Sequence, residues 1–178
     1  MPSPALDALR AVIPAYAKDI GINLGVLADE TVLEIQPKWG SFVAVAHAAG
    51  QPALIRAVDA AAREAGLSAE ALDAAKAAAS IMAMNNVYYR ALHLMQNQEY
   101  RALPSRLRMN VISNPGVAKV DFELWCTAVS AVNSCGVCLD AHEEELRRRG
   151  VPVLQIQAAL RIAAVVNAAG RVLAAEAA

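Results

Sequence analysis

Two cysteines and a histidine lie within eight residues of one another: Cys135, Cys138 and His142. Their spacing, C-x-x-C-x-x-x-H, predicts that all three lie on one face of a helix, because residues three, four and seven apart align on a helix. We expect Ser134 to cap this helix at its N-terminus. Leu146 falls on the same face, which indicates that the face points into the protein.

This spacing is typical of a redox-active dithiol. A free thiol with a pKa of roughly 8.5 is mostly protonated at neutral pH, and the reactive form is the thiolate. A helix N-terminus favours the thiolate at Cys135 and, more weakly, at Cys138. His142 follows Cys138 by one helical turn and can accept its proton. The two sulfurs can also form a disulfide, so the pair can cycle between two redox states.

Two alternatives compete with a catalytic dithiol. In the first, the cysteines are small buried hydrophobes and His142 is a core histidine. In the second, Cys135, Cys138, His142 and a carboxylate bind zinc in a structural or interaction module. The sequence has no second ligand pair, and one helix rarely supplies three ligands with tetrahedral geometry. We therefore favour the dithiol and expect no bound metal.

Glu123 precedes Cys135 by twelve residues and lies on the preceding predicted helix. Three roles are open for it. As an acid near the start of that helix it can complement the helix dipole. It can form an ion pair with Lys119, four residues earlier. It can also be catalytic.

Composition limits the classes of protein. The net charge is −1 and the pI about 6.3, so no broad positive field attracts nucleic acid. Hydrophobic residues make up 57% and the mean hydropathy is +0.34. The charge-free stretch 124–139 is too short and too polar to span a bilayer. We expect no membrane association, and an oligomer to account for the apolar surplus.

Three cysteines, an odd and low number, argue against a framework of structural disulfides. The first residues, Met1 to Pro4, lack the pattern of a signal peptide. We therefore expect a cytoplasmic protein.

The fold class that the sequence predicts is all-α, as a single domain over residues 1–178. Alanine is abundant and aromatic residues make up only 4%, which leaves little material for strands. The first expected helix begins at Ser3-Pro4. A second runs from Asp29 to Ala49 with a break at Pro37, a third from Pro52 to Gly66, and a fourth from Ala69, capped by Ser68, to about Gln96. Residues 97–118 are expected to be irregular, and three further helices are expected: Asp121 (as cap) to Val132, Cys135 to Gly150, and Pro152 to the C-terminus.

The string Glu123-x11-Cys135-x2-Cys138-x3-His142 resembles the motif of the alkyl hydroperoxide reductase D (AhpD) family, within the carboxymuconolactone decarboxylase-like superfamily. The resemblance extends over nearly the whole chain. Further similar segments are Ile13 to Ile20, Met84 to Arg90, Leu107 to Asn110, Ser113 to Gly116 and Phe122 to Trp125.

This resemblance implies an all-α homotrimer that acts as an antioxidant dithiol enzyme. Such an enzyme passes electrons from dihydrolipoyl groups, carried by a lipoyl-bearing 2-oxoacid dehydrogenase component, to the peroxiredoxin AhpC, and can itself reduce alkyl hydroperoxides. It binds no resident cofactor. The resemblance also implies that Glu123, through a water and His142, relays protons to the cysteines. It points to Cys138 as the attacking sulfur and Cys135 as the resolving one, as does the one-turn spacing to His142.

One position departs from the family pattern, because Val137 stands where some members have a histidine between the two cysteines. An ionisable neighbour is lost there, so proton handling, pH optimum or partner preference can differ. A non-redox lactone decarboxylase remains an alternative function, although that chemistry needs no dithiol. A thioredoxin-like fold is disfavoured because no βαβ pattern is present.

Other polar or reactive residues carry weaker signals. Cys126 is expected to be a packing residue. His47 and His93 are expected to be satisfied core or interface histidines. A further group of polar residues lies in an apolar helix and is interpreted first as a buried hydrogen-bonding network or trimer contact, and second as a pocket wall: Asn85, Asn86, Tyr89 and Arg90.

Overall fold

The computed structural model describes residues 3–178. Met1 and Pro2, on which part of the signal-peptide expectation rests, lie outside the described residues. Ten α-helices and one 3-10 turn occur in the described residues, and none of these residues is in a strand. They are α1 (Pro4–Ala11), the 3-10 turn (Ala15–Ala17), α2 (Lys18–Asp29), α3 (Ile35–Ala49), α4 (Pro52–Glu64), α5 (Ala69–Leu94), α6 (Glu99–Ala102), α7 (Asn110–Ser113), α8 (Lys119–Val132), α9 (Gly136–Arg148) and α10 (Val153–Glu176).

Helices α3 and α8 form the centre of the molecule. The run 39–46 of α3 and the run 122–130 of α8 are buried on every side, as expected for helices that are apolar all round. α3 packs against α4, α5, α8 and α10, and α8 also packs against α5, α9 and α10. These two helices account for part of the apolar surplus that the sequence analysis assigned to an oligomer.

The close approach of α8 to α3 depends on Gly40. A Cβ atom at this position would lie 2.1 Å from the ring of Trp125, closer than any side chain tolerates. The ring therefore lies directly against the α3 backbone, and its indole Nε1 donates a hydrogen bond to the Pro37 carbonyl at 3.1 Å. The Ser41 hydroxyl donates to the same carbonyl at 2.8 Å.

Several predicted helix boundaries are confirmed. Ser3 caps α1 by accepting a hydrogen bond from the Leu6 amide, and Ser68 caps α5 in the same way through the Ala71 amide. Residues 97–118 contain only the four-residue helices α6 and α7, as their turn-forming composition indicates.

Three boundary predictions were wrong. The helix predicted from Asp29 is interrupted over residues 30–34 instead of at Pro37, which lies in the first turn of α3, where a missing amide hydrogen costs no intrahelical bond. Asp121 lies inside the first turn of α8 and does not cap it. Ser134 does not cap α9. It has a positive φ of 55° and ends α8.

α10 is the one single helix in residues 3–178 that is long and apolar enough to cross a membrane, and α1 together with residues 15–29 passes this test only as a pair bent by 119°. In the fold α10 packs against α2, α3 and α8. Its buried positions, among them Ile156, Ile162 and Val166, contribute to the core, which explains its composition without a bilayer.

The contact at Gly40 makes a testable prediction about stability. Gly40→Ala forces an extra atom into a filled core and should lower the free energy of unfolding by about 1–3 kcal/mol in urea denaturation. Gly21→Ala is the matched control, since Gly21 is also a buried helical glycine but its added Cβ would find its nearest neighbour at 3.7 Å. The control should be neutral or slightly stabilising. Equal destabilisation by both changes would contradict the close packing at Gly40.

Candidate active site

Glu123 is a buried carboxylate in the second turn of α8. Its Oε2 lies 2.6 Å from Nδ1 of His142 on α9, and its Oε1 lies 3.0 Å from Nζ of Lys119, one turn earlier on α8. The ion pair and the contact with His142 were separate alternatives from the sequence. The structure shows both at once, one at each carboxylate oxygen.

Opposing effects act on the pKa of Glu123. Burial raises the pKa, while the hydrogen bonds and charges of His142 and Lys119 lower it, and the net effect is a lowered pKa. Glu123 is therefore ionised at neutral pH and can only accept hydrogen bonds. It follows that Nδ1 of His142 carries a proton and donates it to Glu123. In the neutral imidazole, Nε2 is then the free proton acceptor.

The connection between α8 and α9 brings the cysteines to this pair. The Ser134 amide donates to the Ala131 carbonyl and the Cys135 amide to the Ser130 carbonyl. With Ser134 in the left-handed conformation, this is a Schellman ending of α8. Only residues 133–135 separate the two helices, so α9 turns back along α8. Cys135 takes the N-cap position of α9, and Cys138 lies in its first turn.

Cys135 and Cys138 are joined by a disulfide. Cys135 has 0% and Cys138 6% of its surface exposed. Cys138 lines a pocket of about 270 Å³ and Cys135 does not. The pocket is lined by Met82, Asn85, Tyr89, Met109, Ile112, Val137, Cys138, Ala141 and His142. Cys138 and His142 thus face one cavity whose walls are mostly apolar, while Cys135 lies behind them.

Two side chains of α5 lie at the polar part of the pocket. The Met82 sulfur lies 3.3 Å from Nε2 of His142 but has no proton to donate, so it leaves an unprotonated Nε2 available as a proton acceptor. Asn85 is buried, and its Oδ1 has no hydrogen-bond partner among residues 3–178. A buried acceptor without a partner is costly in an empty site and is free to accept a hydrogen bond from a bound molecule.

The polar residues of α5 divide between the two predicted roles. Asn86 donates to the Ser130 hydroxyl at 3.0 Å and accepts from the Asn133 amide at 3.0 Å, and Arg90 donates to the Asn133 carbonyl. These bonds tie α5 to the end of α8 and so support the turn before the cysteines. Asn85 and Tyr89 instead form the pocket wall.

Sequence reasoning missed four apolar pocket residues: Met82, Met109, Ile112 and Ala141. A signal for Met82 was present, because residues 82, 85, 86 and 89 lie three or four apart on one face of a helix. No signal pointed to Met109 or Ile112, which lie in or beside the short helix α7.

The remaining candidates lie outside the pocket. Cys126 is fully buried, and burial raises its thiol pKa well above the ordinary value, with the Glu123 charge adding to the rise. Nε2 of His47 lies 3.1 Å from Asp59, as expected for a satisfied histidine. His93 is exposed, so of the two positions expected for it, core or interface, the core one does not apply and the interface one stays a prediction. No group of three or more His, Cys, Asp and Glu side chains in residues 3–178 is placed to bind a metal ion, so the zinc-module alternative has no ligand set there.

This geometry predicts which thiols react after reduction. Iodoacetamide should modify Cys138 first, because it lines the pocket beside His142. Cys126 should react about tenfold or more slowly, because burial hinders access and suppresses its thiolate. Peptide mass spectrometry measures both rates, and unfolding in urea is the control that should make the rates similar. Modification of Cys126 as fast as of Cys138 in the folded protein would contradict this site.

Comparisons with known proteins identify the family of the chain. Residues 98–178 match the carboxymuconolactone decarboxylase family. The chain is 64% identical over 98% of its length to a protein named alkyl hydroperoxide reductase AhpD from Hyphomonas neptunium, of which 96% is covered. It is 58% identical over 97% of its length to the protein of that name from Maricaulis maris, with 99% covered. The one from Streptomyces coelicolor is 53% identical, with 97% of both chains covered. Identity at this level over nearly the entire length places the chain in the AhpD family of alkyl hydroperoxide reductases.

Proposed function

We propose that this protein is a lipoyl-dependent alkyl hydroperoxide reductase that also regenerates the peroxiredoxin AhpC. The observation that carries the proposal is that Cys138 and His142 line one pocket while Nδ1 of His142 is held by the ionised Glu123. This arrangement supplies a sulfur nucleophile and a general base with a fixed tautomer. Cys135, already bonded to Cys138, supplies the second electron-donating thiol.

The peroxide half of the reaction begins with the reduced enzyme. His142 accepts the Cys138 proton at Nε2, and the Cys138 thiolate attacks the outer oxygen of the hydroperoxide. The O–O bond breaks, the Cys138 sulfur becomes a sulfenic acid, and the departing alkoxide takes the proton from His142 to leave as an alcohol. Cys135 then attacks the Cys138 sulfur, the disulfide forms, and water leaves.

The reducing half returns two electrons to the disulfide. A thiolate of a dihydrolipoyl group attacks Cys138, the sulfur that lines the pocket, and releases Cys135. The second lipoyl thiol then displaces Cys138, so that the lipoyl group leaves as a cyclic disulfide and both cysteines are reduced. The reduced dithiol can equally transfer its electrons to the disulfide of AhpC. Electrons reach the site from a lipoyl-bearing 2-oxoacid dehydrogenase component in the cytoplasm.

The pocket favours an organic hydroperoxide over a small polar one. Met82, Met109 and Ile112 offer an apolar surface to an alkyl group. The unpartnered Asn85 Oδ1 can accept a hydrogen bond from the hydroperoxide O–H. Val137, 37% exposed on the same wall, adds apolar surface where some family members have a histidine, so His142 does the proton transfer without a second imidazole beside it.

The decisive experiment is a peroxide-consumption assay with cumene hydroperoxide. We expect turnover when dihydrolipoamide is supplied, and none with the Cys138→Ser protein. Addition of AhpC should give a further, AhpC-dependent rate. Absence of lipoamide-dependent turnover both with and without AhpC would overturn the proposed function.

Trapping of the intermediate separates the roles of the two cysteines. With Cys135 replaced by serine, one equivalent of hydroperoxide should leave a sulfenic acid on Cys138 that dimedone labels. The Cys138→Ser protein is the matched control and should show no label at Cys135, which lies outside the pocket. Equal labelling of Cys135 in the control would reverse the assignment.

We also propose that the protein is a homotrimer. Residues 91–110 are largely exposed, yet they include large apolar side chains, such as Leu94 at 72% and Leu103 at 62% exposure. Apolar side chains grouped on one exposed segment are typical of a surface that another protein covers. A second copy of this chain is the partner that the high overall hydrophobicity favours.

Light scattering should therefore give a mass of three 18.8 kDa chains at micromolar concentration. The change Leu94→Asp with Leu103→Asp places charges on the apolar segment and should shift the mass towards one chain. Arg148→Ala is the control, because Arg148 lies on a solvated face with Glu145, and its mass should stay unchanged. A monomer mass for the unsubstituted protein would refute the trimer.

A further inference from the structure

Lys119 lies where the proton relay meets the pocket wall. Its Nζ is 3.0 Å from Oε1 of Glu123 and also donates to the carbonyl of Ile112 on α7. Ile112 lines the pocket. One ammonium group therefore contacts both the carboxylate that holds His142 and the backbone of the segment that faces the substrate.

We infer that Lys119 is a positioning residue that keeps the Glu123–His142 pair able to accept a proton and fixes the Ile112 wall of the pocket. The predicted effect of Lys119 on turnover rests on the proposed function. Its predicted effect on proton uptake by the Glu123–His142 pair does not. Lys119 does not line the pocket, so it acts through Glu123 and Ile112 and not on the substrate.

The electrostatic argument concerns the charge that His142 experiences. With Lys119 present, the Glu123 carboxylate has a full positive charge at one oxygen and shares the other with His142. Without Lys119, His142 is the one group left in residues 3–178 that lowers the pKa of this buried carboxylate, and the pair takes up a proton more readily. A protonated His142 cannot accept the Cys138 proton. Lys119 therefore extends the range of pH over which the base is available.

The other titratable groups around the pair do not replace Lys119. Among the described residues these are Cys126 on α8, which the Glu123 charge affects, Tyr89 on α5 and Cys138 on α9, which line the pocket. None of them is cationic. The helix α7 contains no ionisable side chain and contacts Lys119 through the Ile112 carbonyl.

A second cluster in the molecule has the same three types of group and serves as an internal control. Asp59 on α4 lies 3.1 Å from Nε2 of His47 and 3.8 Å from Nζ of Lys76. Lys76 and Lys119 are both partly exposed, with 34% and 27% of their side chains accessible. The Asp59 cluster has no contact with the cysteine pocket, so Lys76→Met removes an equivalent charge at an unrelated place.

The test is the pH dependence of the full-length protein with Lys119→Met, Lys119→Arg and Lys76→Met. Lys119→Met should move the acid limb of the kcat/KM profile upwards by about one pH unit, a loss of about tenfold on that limb. It should also raise KM, because Ile112 loses its anchor. Lys119→Arg keeps the charge and should restore the profile, and Lys76→Met should leave it unchanged.

A readout without turnover separates this inference from the proposed function. The ring signals of His142 in an NMR titration of the oxidised protein should report the imidazolium to a pH about one unit higher in Lys119→Met than in the unsubstituted protein. Lys76→Met should affect His47 and not His142. Unchanged His142 signals in Lys119→Met would overturn the role of Lys119, even if the enzyme reduces peroxides. A shifted titration in a protein without peroxidase activity would retain the role and reject the function.

Discussion

The buried carboxylate of Glu123 sets the main constraint on this structure. Its helix, α8, is surrounded by protein along residues 122–130, and an ionised carboxylate there costs several kcal/mol unless cations or donors compensate it. Lys119 comes from the same helix, but His142 comes from α9. Compensation of Glu123 thus requires α9 to run back along α8, and the contact that satisfies the charge also fixes the tautomer of the base.

The return of α9 determines where the cysteines lie. A Schellman ending with Ser134 in the left-handed conformation reverses the chain within three residues. Cys135 and Cys138 then fall at the N-terminus of α9, where unpaired amide groups favour a thiolate. At this same turn, the Asn133 side-chain amide donates a hydrogen bond to Asn86, and Arg90 donates one to the Asn133 carbonyl. The hairpin of α8 and α9 therefore holds both the buried Glu123–His142 contact and the two cysteines at the start of α9.

The sequence predicted those parts of the site that helical spacing controls. Cys138 and His142, one turn apart on one helix, do face a common cavity. Glu123 was harder, since the sequence left three roles open for it. Its two carboxylate oxygens make two contacts at once, one with Lys119 and one with His142. The prediction that Ser134 caps α9 was wrong. Serine commonly caps a following helix, whereas here Ser134 takes the left-handed conformation that ends α8. The choice depends on how α9 packs, which a local pattern does not contain.

The pocket residues were beyond local patterns for a different reason. Met82 comes from α5, whereas Met109 and Ile112 come from the region of α7. An apolar side chain looks the same in sequence whether it lines a cavity or fills the core. Only the tertiary arrangement distinguishes the two. The ion pair with Lys119 was one of the roles left open for Glu123, and it is present, but the second contact of Lys119, with the Ile112 carbonyl, depends on where α7 lies.

The different positions of the two cysteines relative to the pocket affect how readily peroxide could oxidise a cysteine irreversibly. In the mechanism that we propose, a sulfenic acid on Cys138 would face the pocket, and a second peroxide would oxidise it irreversibly. Cys135 is within bonding distance, as the disulfide shows, and lies behind Cys138, away from the cavity. Its attack is intramolecular and needs no diffusion, so it competes well against a second peroxide at low concentration. The shielded cysteine thus favours the reversible disulfide over irreversible oxidation.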